Sequence, residues 1–172
     1  TIGATGVTTS GDHQITLGYG NDTYTSTSTA GEDVTATAGN NTISTATGND
    51  TVTMGTGNDN VTLGAGDDIV VVATANLTGN DTIAGGDGTD VLKMSDASTV
   101  VDADFTNVTG VETFTASADK AINLTLGALA MAAGIATVTF TEDTEDGSDT
   151  VVVGAGFTSN LTVNLDNDST DN

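Results

Sequence analysis

The segment from residue 48 to residue 70 repeats every nine residues, as Gly48-Asn49-Asp50-Thr51-Val52, Gly57-Asn58-Asp59-Asn60-Val61 and Gly66-Asp67-Asp68-Ile69-Val70. In each unit an aspartate lies two residues after the glycine, and an apolar residue lies two residues after the aspartate. A fixed period of this kind is typical of repeat architectures, in which each unit packs only against its neighbours. The segment therefore predicts a solenoid rather than a compact fold.

The same register extends in both directions. Towards the N-terminus it passes through Gly39-Asn40-Asn41 and, after a one-residue insertion, Gly20-Asn21-Asp22. Towards the C-terminus it resumes as Gly79-Asn80-Asp81, after four extra residues within 72–78. The unit at residues 85–93 fits every fixed position of Gly-Gly-x-Gly-x-Asp-x-apolar-x. The repeat thus continues to residue 93.

Each unit predicts a glycine turn followed by a short strand. Glycine permits positive φ and close approach of the backbone, and we expect one apolar side chain per half-turn to point inward. The composition agrees, because the chain has 22 Gly, no Pro and many β-branched residues. The expected inward ladder is Ile15, Tyr24, Val34, Ile43, Val52, Val61, Val70, Ile83 and Leu92.

The charge balance indicates a cationic partner. The chain has 24 acidic residues against two lysines, Lys93 and Lys120, and a formal charge of −22. This charge repels nucleic acid and anionic membranes, so we expect no nucleic-acid partner. No apolar run reaches the roughly 18 residues that span a bilayer, so we expect no membrane insertion. The absence of Cys excludes disulfides and thiol chemistry.

Stacking of successive turns should bring acidic side chains eighteen residues apart onto one edge. One edge is predicted to carry Asp50, Asp68 and Asp90, and the other Asp59 and Asp81, followed towards the N-terminus by Asn41 and Asp22. Ca²⁺ takes six to eight oxygen ligands, which carboxylates and glycine-turn carbonyls supply without His or Cys. The predicted calcium ligands are Asp22, Asn41, Gly48, Asp50, Gly57, Asp59, Gly66, Asp68, Gly79, Asp81, Gly86, Gly88 and Asp90.

The predicted sites differ in quality along the chain. The best-formed sites are expected to pair Asp50 with Asp68, Asp59 with Asp81, and Asp68 with Asp90. Aspartate occupies the sixth of the nine positions in each unit. In the earlier units this sixth position holds Glu32 and His13, for which we expect loss of metal or a capping role.

These residues resemble the glycine- and aspartate-rich nonapeptide repeats of the repeats-in-toxin (RTX) family, over about residues 11–93. The resemblance implies an all-β, right-handed parallel β-roll in which two nonapeptides form one turn and several Ca²⁺ ions lie in the loops. It also implies export of the unfolded chain by type I secretion and folding in external calcium.

The second half of the chain departs from the repeat but keeps strand-like alternation. We divide the chain into an RTX-type calcium-binding β-roll at 1–94 and a β-rich continuation at 95–172. The continuation is either longer solenoid rungs, which we favour, or a small sandwich.

Residues 127–134 fit a helical turn or a buried strand equally well. The acidic segment 142–149 is a solvated loop or a further cation site. The expected inward fillers are Phe105, Phe114, Phe140 and Phe157.

The sequence favours a structural function over an enzymatic one. His13 is the single histidine, and the His-Glu-x-x-His signature of metalloproteases is missing. We expect an extracellular protein of the bacterial cell surface that assembles as a homo-oligomer or polymer into a layer, filament or matrix. Cell-surface polysaccharide is a possible partner. The alternatives are a stalk or ligand-binding module of an adhesin, and the folding or secretion module of a secreted enzyme or toxin.

Overall fold

The computed structural model describes residues 13–96, 99–116, 122–140 and 149–164. A 3-10 helix at Asp102–Phe105 and a short helix, α1, at Ala128–Ala133 accompany sixteen strands in these ranges. The strands in chain order are β1 (His13–Tyr19), β2 (Thr23–Thr25), β3 (Glu32–Ala38), β4 (Thr42–Ser44), β5 (Thr51–Thr53), β6 (Asn60–Ala65), β7 (Ile69–Val72), β8 (Thr82–Asp87), β9 (Val91–Met94), β10 (Thr99–Val100), β11 (Val108–Thr109), β12 (Thr113–Ala116), β13 (Asn123–Leu126), β14 (Thr137–Phe140), β15 (Thr150–Val153) and β16 (Thr162–Asn164).

The strands form three parallel sheets. An eight-stranded sheet has the order β1-β3-β5-β7-β9-β12-β14-β16, a five-stranded sheet has the order β2-β4-β6-β8-β11, and a three-stranded sheet has the order β10-β13-β15. All pairings among the described strands are parallel. A chain that leaves one sheet and returns one place further along winds as a solenoid. The predicted all-β parallel solenoid is confirmed.

The pairing register reproduces the nine-residue repeat as two strands per turn. Val52 pairs with Val70 across a separation of 18 residues, the separation at which Asp50 also meets Asp68. Val70 then pairs with Leu92 across 22 residues, the separation of Asp68 from Asp90. The four extra residues form a turn after β7, in which the Leu77 N–H donates to the Ala73 carbonyl. The insertion therefore lengthens one turn without shifting the sheet register.

The second half continues the solenoid with longer turns. Strand β12 pairs with β9 on one side and β14 on the other, so the eight-stranded sheet passes without a break from the repeats into the second half. Among the described pairings, the rung from β13 to β15 contains the most residues, since the Ile122 N–H donates to Oδ1 of Asp149 across 27 residues. The structure thus has longer rungs where a sandwich was the alternative. The division at residue 94 stays a prediction about sequence pattern.

The core contains two inward rows per sheet rather than the single row we predicted. The predicted ladder is buried apart from Ile15, which is only partly buried at the N-terminal end. A second row follows two residues after the first, because alternate side chains of a strand share a face. Its buried apolar members are Leu17, Ala36, Met54, Leu63, Val72, Met94 and Ala116.

The second half fills its wider interior with aromatic side chains and α1. All four phenylalanines are buried as predicted, and Phe105 meets Phe114 edge to face at a centroid distance of 6.2 Å. The helical alternative holds for 127–134, since α1 ends at Gly134 with a φ of +113°, a left-handed conformation that suits a helix C-terminus. No helix within the described ranges is long and apolar enough to cross a membrane.

Candidate metal centre

Acidic side chains form a ladder along one edge of the solenoid, where each turn enters the eight-stranded sheet. The Asp50 N–H donates to Oδ1 of Asp68 at 2.7 Å, and the Asp68 N–H donates to Oδ1 of Asp90 at 2.9 Å. The Glu32 N–H donates in the same way to Oδ1 of Asp50 at 2.8 Å. Each carboxylate therefore caps the backbone of the turn before it.

A second ladder follows the opposite edge, before the five-stranded sheet. The Asp22 N–H donates to Oδ1 of Asn41, the Asn41 N–H to Oδ1 of Asp59, and the Asp59 N–H to Oδ1 of Asp81, at distances of 2.8–3.0 Å. The parity of the repeat predicted this separation of the two edges, and the separation is confirmed.

Four aspartates of these ladders have one carboxylate oxygen with no hydrogen-bond partner, and so does Glu32, at its Oε2. Oδ2 of Asp50, Asp59, Asp68 and Asp90 is buried and receives no hydrogen bond, although Oδ1 of each is used. These residues are at most 2% exposed. A buried carboxylate oxygen that nothing contacts is costly, because desolvation of the charge is uncompensated. Each such oxygen is therefore a free donor position for a cation.

The surroundings disfavour the ionised form of these carboxyls when no cation is present. Burial raises the pKa of Asp68 from 3.8 to about 6, against the lowering effect of the Asp50 N–H, and the charges of Asp50, Asp90 and Asp67 add to the rise. Burial is also the main cause that raises the pKa of the carboxyls of Asp50, Asp59 and Asp90. A positive ion would reverse this cost.

Glycines allow the turns to approach closely enough for the ladders to form. Gly66 has a φ of +144°, and a Cβ at this position would overlap the carbonyl oxygen of Gly48 in the preceding turn. The same overlap occurs between Gly57 and Gly39 and between Gly88 and Gly66. Glycine carbonyls of successive turns are therefore stacked closely, and such carbonyls are among the oxygen ligands that calcium accepts.

The second edge changes after the four-residue insertion. Oδ2 of Asp81 accepts the Thr78 N–H at 2.9 Å and the Thr78 hydroxyl at 3.1 Å, so both oxygens of this carboxylate have donors. The carbonyl of Gly79 accepts the side-chain amide of Asn107 at 2.8 Å. Of the predicted ligand pairs, Asp59 with Asp81 thus has one unpartnered oxygen, whereas each of the two pairs on the first edge has two. Ligation by all of these residues stays a prediction.

The N-terminal turns combine neutral side-chain donors with one further unpartnered carboxylate oxygen, Oε2 of Glu32. Nδ2 of Asn41 donates to the Gly39 carbonyl at 2.9 Å and to Oδ1 of Asp59 at 3.0 Å. Oε1 of the buried Glu32 accepts the hydroxyls of Tyr24 and Ser26. The expectation of metal loss or a capping role at Glu32 stays a prediction.

Two features of the ladders were missed from the sequence. Glu112 continues the first edge, since its Oε2 accepts the Asp90 N–H at 2.9 Å. The sequence does contain a signal for it, because Gly110-Val111-Glu112-Thr113-Phe114 has the Gly-x-Asp-x-apolar spacing of the repeat with Glu in place of Asp. An outer ladder also joins fifth positions, in which side chains accept an N–H of the following turn, as Asn49 does from Asp67 and Asp67 from Thr89.

The donor set fits calcium better than a metal held by side chains alone. No group of three or more His, Cys, Asp or Glu side chains within the described residues is arranged to hold a metal ion. A cation at these edges would need backbone carbonyls or water beside the carboxylate oxygens, and calcium accepts such a donor set. The unpartnered Oδ2 atoms supply the negative ligands.

Comparison with protein families gives the same assignment. Residues 35–70 and 77–93 match the family model of the RTX calcium-binding nonapeptide repeat, in four copies. They include every sixth-position residue from Asn41 to Asp90, whereas Asp22, Glu32 and Glu112 lie outside them. No curated protein and no solved structure matches the chain.

Within the segments that match the RTX repeat, Asp50, Asp59, Asp68 and Asp90 each keep a buried oxygen without a partner and are the candidate calcium ligands. The ion would neutralise carboxylates that otherwise repel each other inside a desolvated edge. The acidic segment at 142–148 lies outside the described residues, and Oδ1 of Asp149 accepts the Ile122 N–H at 2.8 Å.

Proposed function

We propose that this protein is an extracellular structural protein whose RTX repeats fold and stiffen on binding calcium, and that it helps to build a layer, filament or matrix at the cell surface. The proposal rests chiefly on the four buried carboxylates that each keep one unpartnered oxygen. A fold that contains such oxygens is stabilised by any cation that binds the folded state and not the unfolded one.

The two oxygens of each aspartate have different roles in this proposal. Oδ1 of each aspartate fixes the neighbouring turn through a backbone N–H, while Oδ2 is available to calcium. Without calcium, the charge of −22 resists the close stacking of turns. Calcium therefore acts as the signal to fold, and a chain made in a calcium-poor cytoplasm would stay extended until it is outside the cell.

The test of this step is circular dichroism with calcium added and then removed by chelation. We expect β structure to appear as calcium is added and to disappear with excess chelator, with magnesium at the same ionic strength as the control. β structure of equal strength in chelator and in calcium would rule out calcium-driven folding.

Assembly is the second part of the proposal. Strands β1 and β16 are the outermost strands of the eight-stranded sheet in the described ranges, and a strand edge offers unpaired backbone groups to another chain. Val152, Val153 and Val163, on the last two strands, are 39–50% exposed. These features support stacking of copies end to end.

Electron microscopy of the calcium-loaded protein tests assembly directly. Ordered arrays or fibres that disperse on chelation are expected. A calcium-loaded monomer that binds a surface glycan would instead favour a stalk or ligand-binding module of an adhesin. We propose a structural and not a catalytic role, because the unpartnered carboxylates already have a use in metal binding.

A further inference from the structure

The acidic ladder of the first edge does not end with the last RTX repeat. Oε2 of Glu112 accepts the Asp90 N–H at 2.9 Å, the same contact that Asp90 makes with the Asp68 N–H. Both pairs are separated by 22 residues. Glu112 therefore occupies the sixth-position role in the first turn beyond the matched repeats, which end at residue 93.

An unpartnered oxygen faces this junction. Oδ2 of Asp90 is buried and receives no hydrogen bond, and the residue is 1% exposed. A Cβ placed on Gly85 would overlap both this oxygen and the carbonyl oxygen of Gly110. The two oxygens therefore pack against the Cα of Gly85 and lie close to each other, one from each turn.

Backbone contacts hold the two turns in this arrangement. The N–H groups of Glu112 and Thr113 both donate to the Asp90 carbonyl, at 3.2 and 3.0 Å. Gly110 has a φ of +61°, which turns the chain between β11 and Glu112. The charge of Glu112 adds to the causes that raise the pKa of Asp90, after burial. Negative charge and oxygen donors are therefore concentrated at the join between the repeats and the longer rungs.

We propose that Asp90, Glu112 and the carbonyl of Gly110 hold a further calcium ion, which joins the RTX repeats to the longer-rung section. This inference rests on the proposed calcium binding by the repeats. Its donor set is two carboxylates and a carbonyl, with the remaining positions open to other backbone oxygens or water, as calcium allows. The ion ties the 85–90 turn to the 110–112 turn.

The substitution Glu112→Gln separates this role from a purely structural cap. Glutamine keeps an oxygen that can accept the Asp90 N–H but removes the negative ligand. The number of calcium ions retained by the 172-residue chain is counted by native mass spectrometry across a calcium titration, beside Asp33→Asn as a control of equal charge change. Asp33 lies on β3, away from the junction.

We expect wild type and Asp33→Asn to retain the same number of ions and Glu112→Gln to retain one fewer. Equal numbers in wild type and Glu112→Gln would overturn the junction site while leaving calcium binding by the repeats intact. A wild-type chain that retains no calcium would overturn the proposed function itself, and the junction site with it.

A second variant keeps the test independent of folding. Glu112→Asp preserves the charge but shortens the side chain by one methylene, so its junction ion should bind more weakly while the other ions keep their midpoints. If Glu112→Gln does not fold, a Glu112→Asp chain with the wild-type number of ions at wild-type midpoints would overturn the proposal.

Discussion

The two carboxylate oxygens of a single aspartate in this solenoid have different surroundings. Oδ1 of Asp68 caps the backbone of the previous turn, while Oδ2 is buried with no partner. Asp81 shows the alternative, since Thr78 satisfies its second oxygen. The same residue type at the same repeat position thus keeps an unpartnered oxygen in one turn and is fully hydrogen-bonded in another.

Neutralising Asp68 should have opposite effects with and without calcium. Asp68→Asn keeps an oxygen for the Asp50 N–H but removes a buried charge, so in calcium-free buffer at pH 7 the variant should have more β structure than wild type. Loss of a charged ligand should raise the calcium midpoint by about tenfold, on the order of 1.4 kcal/mol. Dichroism during calcium titration measures both effects.

Asp33→Asn is the matched control, because it makes the same charge change at a position outside both ladders. Its midpoint should stay near that of wild type. An equal shift in both variants would mean that net charge alone, and not a ligand at Asp68, sets the calcium requirement.

The dependence of folding stability on pH should have opposite signs without and with calcium. In the metal-free chain the folded pKa of Asp68 is about 6, above its usual 3.8, so the folded state binds more protons than the unfolded state between these values. Metal-free stability is therefore highest below about pH 4 and falls as pH rises towards 6. Asp50, Asp59 and Asp90 shift in the same direction.

With calcium bound, the same carboxylates must be ionised, so stability should rise with pH through this window. Dichroism between pH 4 and 7, in buffer freed of calcium by a chelating resin and in calcium near the wild-type midpoint, measures how the folded fraction changes with pH in each condition. Slopes of the same sign in both conditions would show that these carboxyls do not bind the ion.

At the scale of the turn and strand, glycine spacing controls how closely successive rungs stack. Gly66 combines a positive φ with close contact to the Gly48 carbonyl, Gly20 has a positive φ with open space beside it, and Gly18 has open space and no positive φ. The chain therefore contains natural examples that separate backbone conformation from steric contact.

Alanine at these three glycines should give a graded loss of stability in saturating calcium. Gly18→Ala should leave the melting temperature unchanged, Gly20→Ala should cost about 1–2 kcal/mol through its left-handed φ, and Gly66→Ala should cost more because the new Cβ also meets Gly48. Thermal melts followed by dichroism give the order. A Gly66→Ala protein as stable as Gly20→Ala would contradict the close stacking of turns.

Element by element, the repeat was sufficient to predict the strands of the first half, because its period fixes both the turn and the inward residue. The second inward row was missed since its positions hold Ala, Ser, Thr and Met as well as Leu, which carry no regular apolar signal. Helix α1 was one of two alternatives, because a six-residue apolar run fits a helix or a strand until packing decides.

The candidate site was predictable where the spacing was regular and not where neighbouring side chains compete. The two edges follow directly from the parity of the repeat. The use of Asp81 by Thr78 depends on the fold of the insertion, which the nine-residue period does not describe. Glu112 was missed because its turn follows a change of spacing, although Gly110 lies two residues before it as in every unit.

At the scale of the molecule, the solenoid has a thin core and a large negative charge. Each rung is supported by its neighbours alone, so neighbouring rungs gain or lose stability together. The longer rungs have a wider interior with buried phenylalanines, and within the described residues the first edge has no acidic ladder contact beyond Glu112. Chelation should therefore affect the repeats first and the second half through the junction.

The most direct measurement is anomalous diffraction from crystals grown in ample calcium. Calcium peaks are expected beside the unpartnered oxygens of Asp50, Asp68 and Asp90, on the first edge, and of Asp59 on the second. Well-ordered turns with no anomalous density beside these four carboxylates would contradict calcium as the ion that holds the solenoid together.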